Sequence, residues 1–92
     1  MKDADLIKCA QILKVLGNSK RLEIVLYLKD KEMNVHELEK KVKLSQSALS
    51  QHLAILRNAK IASTRREAQK IFYSLNEGYA VKIISLIDNI CK

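Results

Sequence analysis

Proline and tryptophan are absent from this chain, which has only two glycines and four aromatic residues among its 92. Without proline nothing breaks a helix from inside, and with glycine confined to Gly17 and Gly78 the composition favours helices. A glycine-rich phosphate loop is excluded by the same scarcity. No apolar run is long enough to span a membrane. The start, Met1-Lys2-Asp3-Ala4-Asp5, lacks the apolar core of a signal peptide, so the chain is expected in the cytoplasm. Cys9 and Cys91 are the only cysteines, and in a reducing compartment they are expected as thiols, not a structural bridge. Repeats, linkers and low-complexity stretches are also missing. Residues 1–92 therefore read as one domain.

A further absence is local. Between Glu39 and Glu67 there is no acidic residue, while Lys40, Lys41, Lys43, Arg57, Lys60, Arg65 and Arg66 all fall there. Elsewhere acids and bases cancel, so this one segment holds the whole formal charge of +7. An excess concentrated in this way suits a surface that meets a polyanion.

Within that segment Leu49, Leu53 and Leu56 recur at helical spacing behind Ser45, a good N-cap, which predicts a helix over 45–58. Its other side, Gln46, Ser47, Ser50, Gln51 and Ala54, is short and uncharged where a solvated face would more often carry Glu and Lys. Amides and hydroxyls on such a face suit base edges and phosphates in a major groove. Just upstream, Val35 to Val42 is a second amphipathic helix, with Val35, Leu38 and Val42 inward. About three residues separate the two, the layout of a helix-turn-helix whose second helix reads DNA. Downstream, residues 61–66 and 70–75 read as two strands. Ile71, Tyr73 and Leu75 alternate with Lys70, Phe72 and Ser74, and Glu67-Ala68-Gln69 forms the tip. A hairpin flanked by Arg65, Arg66 and Lys70 beside a reading helix can straddle a phosphate backbone. The same cations also suit plain protection of an edge strand, and that alternative stays open.

The run Leu44-Ser45-Gln46-Ser47, then Ser50-Gln51-His52-Leu53 and Leu56-Arg57, followed by Thr64-Arg65-Arg66-Glu67-Ala68-Gln69, closely resembles the ArsR/SmtB winged-helix regulators. The resemblance extends from about Leu13 to Ile90. It implies a mainly α (α+β) winged helix-turn-helix of about five helices with a two-stranded β-hairpin wing, dimeric on double-stranded DNA. Lys43 departs from it, since the family commonly has glycine in this turn; a left-handed backbone there would cost about 1 kcal/mol. Two metal sites known in the family are not matched. The positions of a Cys-x-Cys pair hold Asn34 and His36, and on the last helix Asp88 stands without histidine. No metal or cofactor is expected, and His52 is read as structural or DNA-proximal.

The similarity is nearest to the HlyU-type branch, which includes dithiol persulfide sensors. Cys91 matches the second thiol of that branch; the place of the first falls at Leu26. Cys9 precedes the Gly17–Ser19 corner by about as much as Leu26 follows it, which in a helical hairpin would make the two neighbours. Cys9 and Cys91 are therefore redox candidates, with inert apolar packing as the competing reading.

The chain is 48% apolar, more than a domain of this size needs for a private core. The surplus is in the ends. Leu6, Ala10, Leu13 and Leu16 stripe the first helix, residues 3–16, with Ile7, Ile12 and Val15 beside them. Val81, Ile84, Ile87 and Cys91 stripe the last, residues 77–91, with Ile83, Leu86 and Ile90 beside them. These two helices are expected to pair subunits, which in the family is where dimers form. Between them, Gly17 stops the first helix, Ser19 caps the next, and Lys20 to Leu28 forms a central core helix with Lys20 and Arg21 at its start.

The function expected is a homodimeric, DNA-binding transcriptional repressor on a palindromic operator, with a thiol-redox response open. Gln46, Ser47, Ser50 and Gln51 would meet the groove. Lys43, Arg57, Arg65, Arg66 and Lys70, with Lys41 behind them, would meet phosphates. An anti-silencing activator and a winged-helix protein-interaction module are the alternatives. No carboxylate pair in the basic segment or Cys–His pairing supports an enzyme.

Overall fold

The computed structural model describes residues 1–91. In chain order the elements are α1 (Asp3–Leu16), α2 (Ser19–Asp30), β1 (Met33–Asn34), α3 (Val35–Lys41), α4 (Gln46–Asn58), β2 (Ala62–Glu67), β3 (Lys70–Leu75) and α5 (Tyr79–Ile90). The three strands form one antiparallel sheet in the order β1-β3-β2. This is the expected winged helix-turn-helix, with β1 added to the hairpin as a short third strand.

Local chemistry sets most of the boundaries. α1 stops at Gly17, where a Cβ would lie 3.2 Å from the Leu13 carbonyl oxygen, so glycine serves close approach. Its φ of −79° is not left-handed. The cap of α2 is Asn18, not Ser19. Asn18 is extended, and its Oδ1 accepts from the backbone N–H of Lys20 at 3.0 Å and of Arg21 at 3.1 Å. Ser19 is already the first helical residue, one position too late to turn its hydroxyl back on those donors.

At α3 the Asn34 side chain accepts from Glu37 N–H at 2.8 Å, while the Glu37 carboxylate accepts from Asn34 N–H at 3.0 Å, a reciprocal capping box. At α4 the expected cap holds, with Ser45 Oγ accepting from Ala48 N–H at 3.1 Å. α4 ends through Lys60, left-handed at φ 61°, which lets Ile61 N–H reach the Leu56 carbonyl at 3.0 Å.

The core gathers one face of every element. Ile24, Val25 and Leu28 of α2 lie against Leu38 and Val42, then Leu49, Leu53 and Leu56, with Met33, Ile61, Ala62, Ala80 and Ile84 closing it. Among the described residues no polar or charged side chain is buried. The terminal helices are only partly absorbed. From α1 only Ile12 and Leu16 are buried, while Leu6, Ile7 and Leu13 are 53%, 60% and 62% exposed. On α5 the side with Ala80 and Ile84 faces inward, and Leu86 and Ile90 stand 60% and 70% exposed. The stripe of Val81, Ile84, Ile87 and Cys91 is divided, with Ile84 buried and Val81 and Cys91 exposed. No described helix is long and apolar enough to cross a membrane.

Candidate nucleic-acid interface

α4, the helix expected to read DNA, is held from behind. Leu49, Leu53 and Leu56 are buried in the core, and this fixes the rotation of α4 about its axis. Gln46, Ser47, Ser50 and Gln51 are left exposed on the opposite side. The turn before it needs no strain, because Lys43 is absent from the left-handed residues, Lys60 and Ala68. The expected penalty for lysine in place of glycine does not arise. Lys43 and Arg57, before and near the end of α4, are both exposed.

The register of the wing decides where its cations go. Arg66 pairs with Ile71, Arg65 with Phe72, and Glu67 with Lys70. The connection is therefore a two-residue turn, Ala68-Gln69, shorter than the expected three-residue tip because Glu67 stays in the ladder. Cross-strand partners share a face of the sheet, and successive residues alternate between faces. Ile71 lines a cleft of about 410 Å³ with Val35, His36, Gln46, Ser50, Gln69 and Lys70, between the start of α4 and the wing. Arg66, as the partner of Ile71, belongs to the face turned toward α4.

Arg65 belongs to the other face. Its Nε donates to both Glu32 carboxylate oxygens, at 2.9 and 2.8 Å, and its Nη2 lies 2.7 Å from Glu32 Oε1. Nη1 donates to Glu67 Oε2 at 2.8 Å, and the guanidinium carbon sits 4.6 Å from the centre of the Phe72 ring. The hydrogen bonds it donates to Glu32 first, and to Glu67 second, hold its proton more tightly than an ordinary arginine's. Three cations expected to act alike are thereby separated. Arg66 and Lys70 form no ion pair among the described residues, while Arg65 is paired twice.

His52 is half-buried on α4. Arg21 Nη1 lies 3.3 Å from its Nδ1, and burial first, the Arg21 charge second, lower its pKa from the ordinary 6.5. The sequence places Arg21 at the start of the core helix and does not reveal this contact, which joins residues 31 apart. No local signal points to it.

The thiols are free and exposed. Cys9 lines an apolar cleft of about 450 Å³ with Met1, Ile12, Leu13 and Ile83. Leu26, which Cys9 was expected to adjoin, lines a different cleft with Tyr27 and Asp88. Cys91 caps α5, about 12 Å beyond Ile83 by helical rise. At the unmatched metal positions, Asn34 is spent on the α3 cap and Asp88 pairs with Lys29 at 3.1 Å. Among the described residues no three His, Cys, Asp or Glu side chains gather where a metal could sit.

Comparison with known proteins is consistent with this geometry. The family model described as bacterial regulatory protein, arsR family, matches residues 18–64, from the α2 cap into the wing. The chain is 45% identical over 80 residues to the transcriptional activator HlyU of Vibrio cholerae, covering 87% of this chain and 74% of that protein. It is 44% identical over 78 residues to the biofilm growth-associated repressor of Agrobacterium fabrum, covering 85% and 67%. The solved structure of HlyU from Vibrio cholerae superposes with a TM-score of 0.94 at 40% identity, covering 99% of this chain and all of that one.

Proposed function

The chain belongs to the ArsR family of bacterial regulatory proteins, DNA-binding transcriptional regulators and not enzymes, and from that premise we propose that it is a homodimeric repressor that occupies a palindromic operator. One observation carries the reading: an uncharged, exposed Gln/Ser face on α4, bordered by exposed cations, in a segment without a single acid between Glu39 and Glu67. Gln46, Ser47, Ser50 and Gln51 enter the major groove, and Lys43, Arg57, Arg66 and Lys70 meet phosphates on either side. The exposed apolar sides of α1 and α5 pair two copies and set two reading helices about 34 Å apart, one turn of the duplex. Binding takes place in the bacterial cytoplasm, where the chromosome lies.

The test is a salt-dependent titration on the DNA upstream of its own gene, with scrambled DNA of equal length beside it. A preference of about a thousandfold or more, with a steep salt slope, supports the operator reading. Gln46→Ala should lose about 1–3 kcal/mol at one base position and nothing on random DNA. Equal affinity for both sequences would leave a winged helix that works through proteins.

Activation is the second reading, because a relative this similar is named an activator while another is named a repressor. Deleting the gene separates the two: target transcription rises if the protein represses and falls if it activates. A thiol response, in this reading, belongs to the exposed Cys9 and Cys91. Oxidant should then weaken operator binding in wild type and leave Cys9→Ser and Cys91→Ser unaffected. Equally tight binding by oxidised and reduced wild type would end that part of the proposal.

A further inference from the structure

The wing holds one cation that does not behave like its neighbours. Arg65 and Arg66 are adjacent in a segment whose charge as a whole invites phosphate, yet strand alternation sends them to opposite faces. On its face Arg65 meets Glu32, Glu67 and the Phe72 ring, and Lys70, paired across the strands with Glu67, shares that face, so positive and negative charges balance there. A balanced patch attracts a phosphate backbone far less than an unpaired cation does, and the charge of Arg65 is already engaged.

The geometry is that of a clamp. Glu32 lies in the turn between α2 and β1, 33 residues before Arg65. It is engaged by Nε and Nη2 together, the planar fork-to-carboxylate arrangement that fixes direction as well as distance. The ring of Phe72 supports the guanidinium from β3, and Glu67 holds its other end just before the turn. One side chain thus ties both strands of the hairpin to the body of the domain. Among the described residues no other ion pair ties the wing to the body of the domain, and the paired β1 stops at Asn34 opposite Phe72.

We propose that Arg65 is a positioning residue, not a phosphate ligand: locked to Glu32 over Phe72, it sets the angle at which the wing presents Arg66 and Lys70 to DNA. The proposal rests on the DNA-binding reading and adds to it that an acidic residue, Glu32, supports affinity for a polyanion. That is the reverse of the simple electrostatic expectation, under which removing Glu32 strengthens binding.

The sign of that effect is the test. Glu32→Gln, Arg65→Gln and the exchange Glu32→Arg/Arg65→Glu are compared with Arg66→Gln in operator titrations across a range of salt. A positioning role predicts that Glu32→Gln and Arg65→Gln each weaken binding by about threefold to tenfold with the salt slope of wild type. The exchange should recover part of the affinity lost in the single variants, because it restores the pair between positions 32 and 65 but not the contacts with Glu67 and Phe72. Arg66→Gln should weaken binding and reduce the salt slope by about one. Tighter binding by Glu32→Gln, or a slope reduced by about one in Arg65→Gln, would make Arg65 an ordinary phosphate ligand and overturn the proposal. Amide hydrogen exchange on the free protein tests the clamp without DNA. Glu32→Gln and Arg65→Gln should speed exchange from Arg66 to Lys70, and unchanged rates would also overturn it. Failure of wild type to prefer its operator would sink the functional reading alone, since the exchange result stands independently.

Discussion

Arg21 links the end of α1 to α4: its Nε donates to the Val15 carbonyl at 2.7 Å while its Nη1 lies 3.3 Å from Nδ1 of His52. A guanidinium only donates, so Nδ1 must be the bare nitrogen, which places the imidazole proton on Nε2. The contact therefore exists only while His52 is neutral.

A pH dependence follows with a definite sign. The folded-state pKa of His52 is lowered, chiefly by burial, so the unfolded chain takes up the proton first. The stability due to neutral His52 is complete above its ordinary pKa of 6.5 and is lost as pH falls through the lower folded-state value. The urea midpoint should drop between about pH 7.5 and about pH 5.5, and His52→Gln should flatten part of that drop. Identical curves for both proteins would show that the contact has no energetic weight.

At the first interhelical corner the two candidate caps are separable. Asn18→Ala removes the acceptor of two backbone N–H groups and should cost about 1 kcal/mol, within a range of about 0.5–2. Ser19→Ala, at the first helical position, should change stability by less than about 0.5 kcal/mol. Chemical denaturation of the pair would refute the assignment if the two costs came out reversed.

The wing turn carries a small strain. Ala68 has φ 56° in a two-residue connection, a position where glycine has no steric penalty. Ala68→Gly should raise stability by about 0.5–1 kcal/mol, less whatever the unfolded chain gains in freedom. A melting temperature below that of wild type would mean the backbone entropy term wins.

The proposed dimer rests on exposed side chains, so it can be broken without touching the core. Leu86, 60% exposed, bears little on the fold of one chain, and Leu86→Glu should change its intrinsic stability by about 0.5 kcal/mol or less. Sedimentation should show the variant as a monomer, and operator affinity should fall by about a hundredfold as one of two linked contacts is lost. A variant that stays dimeric would move the interface off α5.

Much of this protein was written locally. The apolar period of α4, the Ser45 cap and the acid-free stretch from Lys40 to Arg66 are each decided within a few residues, or by simple counting, and all stand in the structure as expected. Hence the fold and the exposed Gln/Ser face of α4 were legible. Even the error over Ser19 was a shift of one residue between two good caps, and the strand period alone separates Arg65 from Arg66.

What the sequence could not decide is what waits on each face. That Arg65 meets Glu32, and that Arg21 meets His52, depends on elements 33 and 31 residues apart arriving side by side. The outward turn of Leu6, Leu13, Leu86 and Ile90 likewise depends on how far α1 and α5 overhang a finished core. Hydrophobic periodicity and caps act through neighbours three or four positions away. Ion pairs and leftover surface act through space, and only the folded chain fixes those distances.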